Sequence, residues 1–251
     1  MSIAVIIPAR FASQRFPGKV LAPIAGKPLI QWVWENAKKA PSVSQVIVAT
    51  DHQHVVDLIK GLGGEAVMTP SDLPSGTDRI AVAAEGLDCD WVINVQGDEP
   101  LFSSNDLEAF IEALEDYPMA TLARRMSSQE DVSNPNVVKV AIALDGRALY
   151  FSREPIPHHR DGGDTEFWHH LGVYAYRPST LRSLVQWDPS PLEQKEKLEQ
   201  LRALENGISI QVVSTSARCI GVDTPEDLRQ VEEILELAPD NAVHTSEPKA
   251  E

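Results

Sequence analysis

The chain has few of the residues on which disulfide-rich, nucleic-acid-binding and membrane-spanning proteins depend. Its two cysteines, Cys89 and Cys219, are far apart and lack metal-ligand spacing, so we expect both to be reduced and structural. Basic residues are outnumbered, with 22 Lys and Arg against 37 Asp and Glu, and the net charge of -15 disfavours nucleic acids and anionic membranes as partners. A signal peptide and an apolar run of membrane-spanning length are also missing, so a cytoplasmic location is predicted.

The two familiar phosphate-binding motifs are absent as well. Residues 18–20, Gly-Lys-Val, lack the upstream glycine and the Ser or Thr of a P-loop. Residues 61–64, Gly-Leu-Gly-Gly, end a predicted helix and lack the third glycine of the G-x-G-x-x-G pattern. These absences disfavour a P-loop enzyme and a dinucleotide-binding Rossmann domain.

A basic loop, residues 8–28, follows the first predicted strand, which is the apolar run of residues 3–7. The loop combines prolines and glycines with the basic residues Arg10, Arg15, Lys19 and Lys27. Ligands of open α/β sheets bind where parallel strands end, and fixed cations together with main-chain amides attract anions. We therefore expect this loop to bind a polyphosphate; a solvated basic loop is the alternative.

Strand and helix patterns alternate through the first part of the chain. After the basic loop, the predicted elements are a helix over residues 28–40, a strand over 43–49, a helix ended by Gly63-Gly64 and a strand over 66–68. This alternation predicts an α/β fold with a mostly parallel, doubly wound sheet that has helices on both faces.

The pattern changes near residue 130. Residues 137–152 predict a β-hairpin that turns at Asp145-Gly146, and residues 191–206 predict one helix ended by Gly207. We therefore predict a smaller antiparallel and α-helical subdomain beside the main sheet. The predicted division is a core over residues 1–130 and 207–238, a subdomain over 131–206 and a disordered tail over 239–251.

Two carboxylates occupy positions at which a metal ion could be held. A predicted buried strand over residues 91–96 leads to Asp98, and Asp223 precedes a helix start in which Thr224 is the predicted N-cap and Pro225 the first residue. Carboxylates bind Mg²⁺ together with substrate phosphates and water. We predict Asp98 and Asp223 as ligands of one or two Mg²⁺ ions; an acidic turn is the alternative at each position.

Other candidate ligands are not assigned to this metal site. Glu99 adjoins Asp98, and two adjacent carboxylates cannot both enter one tight site without strain, so Glu99 is a candidate supporting group. The histidine pairs at residues 158–159 and 169–170 do not favour zinc, because adjacent histidines on a strand point to opposite faces.

A loop of small residues, Ser75-Gly76-Thr77-Asp78-Arg79, opens a further predicted helix. Thr77 is the predicted N-cap of that helix. A capping loop and a loop that binds a ligand are both compatible with these residues.

The segment Pro8-Ala-Arg10-x-x-Ser13-x-Arg15-x-Pro-Gly-Lys19 resembles the nucleotide-binding signature of the 3-deoxy-manno-octulosonate cytidylyltransferase (CMP-Kdo synthetase) family. The resemblance extends over about residues 1–237. Further blocks agree in order, namely Ala49-Thr-Asp51, Ser75 to Arg79, Val95-Gln-Gly-Asp-Glu-Pro100, Asn134-Pro-Asn, Phe151-Ser-Arg153, His170-Leu-Gly-Val-Tyr174 and Gly221-Val-Asp-Thr-Pro225.

The resemblance implies a nucleotidyltransferase-type fold and two groups of binding residues. The implied nucleotide-binding residues are Arg10, Ser13, Arg15, Lys19, Ser75, Gly76, Arg79 and Asp98. The implied residues for a 2-keto-3-deoxy sugar acid are Gln96, Arg153, His170, Tyr174 and Gln200. The resemblance also implies that the predicted subdomain binds the sugar and forms a homodimer.

The expected reaction is a direct displacement, because the sequence signals no Ser-His or Cys-His nucleophile pair. The resemblance implies that the anomeric hydroxyl of Kdo attacks the α-phosphorus of CTP, giving CMP-Kdo and pyrophosphate for lipopolysaccharide biosynthesis. Arg10, Lys19, Asp98 and Asp223 are the expected catalytic residues.

Three alternatives remain open at this stage. One is a synthetase for another keto sugar acid or a sugar phosphate. A second is activation of the 8-amino analogue of Kdo, whose ammonium group could be attracted by Glu154, Asp161, Asp164 or Glu166. The third is a non-catalytic nucleotide sensor, against which the presence of both Asp98 and Asp223 argues.

Overall fold

A computed structural model of the chain describes residues 1–12, 16–127, 132–161, 166–217 and 219–237. The predicted site residues Ser13 and Arg15, the acidic residue Asp164 and the predicted tail over residues 239–251 lie outside these ranges.

The strands are numbered here in chain order. They are β1 (Ile3–Ala9), β2 (Pro23–Ile24), β3 (Lys27–Pro28), β4 (Gln45–Thr50), β5 (Glu65–Met68), β6 (Trp91–Asn94), β7 (Met119–Arg125), β8 (Lys139–Ile142), β9 (Ala148–Ser152), β10 (Trp168–Tyr176) and β11 (Ile210–Ser214).

The helices are numbered in the same way. They are α1 (Leu29–Lys39), α2 (Gln53–Gly61), α3 (Gly76–Ala83), α4 (Ser104–Glu112), α5 (Pro178–Gln186), α6 (Pro191–Glu196), α7 (Gln200–Glu205) and α8 (Pro225–Leu237). Among the helices of the described residues, none is both long enough and apolar enough to cross a lipid bilayer.

The main sheet runs in the order β11-β7-β10-β6-β1-β4-β5. Strand β1 pairs in parallel with β4 and β6, and β4 pairs in parallel with β5. Strand β10 is antiparallel to both of its neighbours, β6 and β7, whereas β11 is parallel to β7. The prediction of a mostly parallel sheet is confirmed.

Alternate side chains of the buried strand β1 face two apolar cores. Val5 and Ile7 pack into a core with side chains of α1, α2 and α4, while Ile6 packs into a second core with side chains of α3, α5 and α7. Because both faces of an almost continuously apolar strand are covered, the sheet is doubly wound as predicted. The same arrangement brings the carboxyl ends of β1, β4 and β6 to one edge of the sheet.

The predicted hairpin is present as β8 and β9, which pair antiparallel across the Asp145-Gly146 turn. Gly146 has a φ of 82°, a left-handed conformation that glycine adopts without steric cost. The next strand, β10, lies inside the main sheet rather than beside it. The division into a core and a subdomain over residues 131–206 stays a prediction.

The single helix predicted over residues 191–206 is wrong, because the structure has two helices there. Lys197 adopts a left-handed conformation with a φ of 55° and ends α6. Arg202 of α7 donates hydrogen bonds to both carboxylate oxygens of Glu193 in α6, at 2.5 and 2.8 Å. This bidentate pair holds α7 against α6, so the break is fixed by tertiary contact and not by a glycine or proline.

Helix α8 packs against the β2–β3 hairpin of the basic loop. Ile24 of the hairpin and Val231 of α8 share a third apolar cluster, and the Ala25 N–H donates to Glu232 Oε1 at 2.8 Å. These contacts bring the start of α8, and with it Asp223, close to the basic loop that follows β1.

Candidate active site

Two cavities meet at the edge of the sheet where β1, β4 and β6 end. The smaller has a volume of about 550 Å³ and the larger about 840 Å³. Gly76, Gln96, Glu199 and Asp223 line both of them. The two cavities therefore form one cleft with a shared middle.

Lys19 joins the two predicted metal ligands at this shared middle. Its Nζ lies 2.5 Å from Asp98 Oδ2 and 2.9 Å from Asp223 Oδ1. Burial disfavours the charged form of Lys19, but the charges of Asp98 and Asp223 and their hydrogen bonds outweigh burial and raise its pKa. Lys19 is therefore a fixed positive charge between two carboxylates.

The backbone around Asp98 and Asp223 is held by local contacts. A Cβ atom at Gly97 would lie 2.7 Å from the Pro8 carbonyl oxygen, so only glycine fits where this turn crosses the end of β1. The Val222 N–H donates to the Asp98 carbonyl at 2.9 Å, which connects the two loops.

The predicted cap of α8 is confirmed by its hydrogen bonds. Thr224 Oγ1 accepts from the Asp227 N–H, and Asp227 Oδ2 accepts from the N–H groups of both Thr224 and Asp223, at 2.8 and 3.0 Å. This capping arrangement fixes the backbone of Asp223 at the edge of the cleft.

The residues present fit a Mg²⁺ ion. Carboxylate oxygens from two separate loops converge on the Lys19 ammonium group. The position between these two carboxylates therefore favours a positive charge. Within the described part of the chain, no group of three or more His, Cys, Asp or Glu side chains converges on a metal position. A pair of carboxylates suits Mg²⁺, which completes its coordination with phosphates and water, better than it suits zinc.

Glu99 lies partly buried beside this pair and lines the larger cavity. Burial, followed by the charge of Asp98, raises the pKa of Glu99 to about 8. Its Oε2 atom is buried with no hydrogen-bond partner among the described residues. The sequence pointed to Glu99 only as a supporting group, because its burial could not be read from an acidic turn.

Arg10 and Ser75 line the smaller cavity. Ser75 is the N-cap of α3, and its Oγ accepts from the N–H groups of Thr77 and Asp78 at 3.1 and 3.2 Å. The prediction of Thr77 as the cap is wrong by two residues, since the extended backbone of Ser75 directly precedes the first helical residue. Thr77 Oγ1 instead donates to Glu199 Oε2 at 2.6 Å.

Arg79, also on the smaller cavity, is buried and paired with Asp51. Its Nη2 lies 3.3 Å from Asp51 Oδ2, and its Nη1 donates to Thr69 Oγ1. The other oxygen of Asp51 accepts from the Phe11 N–H at 2.9 Å. Asp51 thus connects α3 to the start of the basic loop, a role that its position at the end of a parallel strand could have suggested.

Not every cation of the basic loop points to the cleft. Lys27 pairs with Glu35 at 2.7 Å and lies over the Trp32 ring. The predicted polyphosphate site therefore retains Arg10 and Lys19 from the described part of the loop.

The larger cavity contains the residues implied for the sugar. His170 and Tyr174 come from β10, Gln96 follows β6, and Gln200 begins α7. Gln200 is 4% exposed, and its Nε2 has no hydrogen-bond partner among the described residues, so the cavity offers a donor for a bound ligand.

His170 is neutral in this cavity. Burial, with a smaller contribution from His169, lowers its pKa to about 3. The Nε2 atom lies 3.1 Å from Thr121 Oγ1.

Arg153 lines the same cavity but uses its guanidinium group on the protein backbone. Its Nε, Nη1 and Nη2 atoms donate to the carbonyls of Glu196 (2.7 Å), Pro135 (2.7 Å) and Lys197 (3.4 Å). These bonds connect three segments of the cavity wall.

The amino-acid sequence matches the model of a protein family described as cytidylyltransferase over residues 4–210. It is 47% identical over 249 residues to the 3-deoxy-manno-octulosonate cytidylyltransferase of Geobacter sulfurreducens, covering 94% of this chain and 100% of that protein. It is 49% identical over 243 residues to the protein of the same name from Syntrophobacter fumaroxidans, covering 94% and 97%.

The fold is similar to a solved structure of CMP:2-keto-3-deoxy-manno-octonic acid synthetase complexed with CTP. The TM-score is 0.90 at 40% sequence identity, covering 94% of this chain and 99% of that one. The inositol-1-phosphate CTP transferase from T. maritima has a TM-score of 0.68 at 15% identity, covering 96% and 98%, which shows a shared fold alone.

Proposed function

Because the chain belongs to the cytidylyltransferase family, and within it to the 3-deoxy-manno-octulosonate cytidylyltransferases, we propose that it transfers the cytidylyl group of CTP to Kdo. The products would be CMP-Kdo, for lipopolysaccharide biosynthesis, and pyrophosphate. The observation that carries this proposal is the cluster of Lys19, Asp98 and Asp223 at the point where the two cavities meet.

The two cavities suit the two substrates. The smaller one, with Arg10 and Lys19, offers two cationic side chains to a triphosphate. The larger one offers neutral hydrogen-bonding groups to a polyhydroxylated sugar acid, among them Gln96, His170 and Gln200. The reacting atoms would then lie at the shared middle.

The proposed step is an in-line displacement. The anomeric oxygen of the sugar forms a bond to the α-phosphorus, the bond from that phosphorus to the bridging oxygen of the β-phosphate breaks, and the hydroxyl proton passes to solvent. Arg10 and Lys19 offset the negative charge that develops on the phosphate oxygens, with Lys19 beside the departing pyrophosphate. The Lys19 side chain is held in the cleft by Asp98 and Asp223 before the substrate binds.

Asp98 and Asp223 would hold the Mg²⁺ cofactor, as one ion or two. When bound there, Mg²⁺ would neutralise the triphosphate and lower the pKa of the attacking hydroxyl group. The two carboxylates hold their place at the edge of the cleft through the turn at Gly97 and the cap of α8.

Turnover with defined sugars tests this proposal. The purified chain is incubated with CTP, Mg²⁺ and Kdo, its 8-amino analogue or a sugar 1-phosphate, and pyrophosphate release is measured with and without EDTA. We expect release with Kdo that EDTA abolishes. Release with another sugar alone would reassign the substrate, and CTP binding without release for any sugar would support a nucleotide sensor instead.

Assembly and location are part of the same proposal. We propose a cytoplasmic homodimer formed through the predicted subdomain over residues 131–206. Leu144 and Leu149, on and beside the β8–β9 hairpin, are large apolar side chains exposed on this surface, which supports a contact there. Light scattering coupled to size-exclusion chromatography would give the mass in solution, and a monomeric mass would contradict the dimer.

A further inference from the structure

We propose that Lys139 is a positioning residue for the sugar cavity: its buried ammonium group clamps two backbone segments of the cavity wall and so controls sugar binding without touching the sugar. This inference rests on the proposed function, because the proposed function identifies the sugar as Kdo.

Lys139, the first residue of β8, is fully buried. Its Nζ donates to the carbonyl oxygens of Asn134 (3.2 Å), Val137 (2.7 Å) and Arg153. An ammonium group has three N–H donors, so one lysine can bind all three of these carbonyls. A buried charge costs free energy unless it is hydrogen-bonded. Movement of these carbonyls away from the ammonium group is therefore unfavourable.

The first clamped segment is the turn over residues 134–137. The Val137 N–H donates to the Asn134 carbonyl at 3.1 Å, and the Asn136 N–H donates to Asn134 Oδ1 at 2.9 Å. Asn136 and Val137 line the larger cavity. Lys139 therefore fixes a turn whose outer side is part of the cavity wall.

The second clamped segment leads to the start of α7. Lys139 holds the carbonyl of Arg153, and the Arg153 guanidinium group donates to the carbonyls of Glu196 and Lys197. Lys197 is the left-handed residue that ends α6, and the chain then enters the cavity at Leu198, Glu199 and Gln200. Hydrogen bonds thus run from Lys139 through Arg153 to the segment that presents Gln200.

The clamp serves the sugar side of the cleft in particular. Asn136 and Val137 of the turn, together with Arg153, line the larger cavity alone, whereas most of the walls of the smaller one come from the basic loop, the start of α3 and the turn after β6, with Glu199 and Asp223 shared between the two. The nucleotide side has its own connection through Asp51 and Arg79. Loss of the clamp should therefore affect the two substrates unequally.

Steady-state kinetics of Lys139→Met tests whether sugar binding is affected more than nucleotide binding. We expect the KM for Kdo to rise about tenfold or more, because a small displacement of binding groups is costly, while the KM for CTP stays within about twofold of the wild-type value. Lys139→Arg, which keeps a charged donor, should recover part of the affinity for Kdo. Lys195→Met, which removes an exposed lysine of α6, should leave both values unchanged. Equal increases in both KM values, or none, would overturn the proposal.

Amide hydrogen exchange gives a readout that does not depend on turnover. Faster exchange confined to residues 134–138 and 196–201 of Lys139→Met would support the clamp, and uniform acceleration or no change would overturn it. If Lys139→Met does not fold, Lys139→Arg is compared with the wild type by the same two measurements. A wild-type chain that is inactive with every sugar would refute the proposed function, while exchange would still decide the clamp.

Discussion

Lys19 and Asp98 form a partly buried ion pair, with Nζ 2.5 Å from Oδ2, although 79 positions separate them in the sequence. Asp223, a further 125 positions along, accepts from the same Nζ at 2.9 Å. One ammonium group thus keeps two carboxylates close together that would otherwise repel each other. The same geometry prepares these carboxylates for a divalent cation, and it leads to two predictions.

Replacing Asp98 or Asp223 with Asn should abolish most of the turnover. Each change removes one negatively charged oxygen donor while it keeps the size of the side chain, and we expect a loss of about 100-fold or more in kcat. The measurement is pyrophosphate release as Mg²⁺ is titrated, together with thermal unfolding. Asp188→Asn, at an exposed position, is the matched control. Near-normal rates in both site variants would refute the assignment of metal ligands.

Replacing Lys19 with Met should have opposite effects on metal binding and on turnover. Without the ammonium group, the positive charge of Lys19 no longer competes with a metal ion for the two carboxylates, so the nucleotide-free protein should bind Mn²⁺ more tightly in an EPR titration. Turnover should nevertheless fall about 100-fold, because the lysine cation beside the leaving pyrophosphate is lost. Lys27→Met, which removes the pair with Glu35, should change neither quantity. Weaker Mn²⁺ binding by Lys19→Met would show that Lys19 does not occupy the position of the metal.

The sheet and the proximity of Asp98 to Asp223 could both be predicted, because each follows from sequence patterns within single elements. Apolar runs marked the strands, and carboxylates after strands or before a helix converge at one sheet edge. The break at Lys197 could not be predicted, because it depends on the distant pair of Arg202 with Glu193. The burial of Lys139 could not be predicted for a similar reason. A lysine at the start of a strand is usually exposed, and only the folded structure surrounds this one with carbonyl oxygens.

Replacing Asp51 with Asn should weaken both stability and nucleotide binding. Arg79 would remain buried without its carboxylate, a change that costs about 3 kcal/mol of unfolding free energy. Asn keeps an amide oxygen that can accept from the Phe11 N–H, but it lacks the negative charge that holds Arg79 beside the start of the basic loop, so the KM for CTP should rise more than the KM for Kdo. Urea unfolding and steady-state kinetics provide the two measurements. Asp57→Asn, on the exposed side of α2, serves as the comparison, and equal stability of both variants would refute the role of Asp51.

His170 should make the protein sensitive to acid. Its pKa is about 3 in the folded protein and near the ordinary value of 6.5 in the unfolded chain, so below pH 6.5 the unfolded chain binds a proton that the folded protein does not. The contribution of His170 to stability is therefore complete above pH 6.5 and is lost as the pH falls toward 3, by up to about 1.4 kcal/mol per pH unit. Other groups titrate in the same range, so the difference between the wild type and His170→Gln isolates this residue. We expect the unfolding free energy from urea titrations to fall less steeply between pH 6.5 and 4.5 in His170→Gln than in the wild type. An equal pH dependence of the unfolding free energy in the two proteins would mean that His170 takes up a proton in the folded protein. The assignment of a neutral imidazole in the sugar cavity would then be wrong.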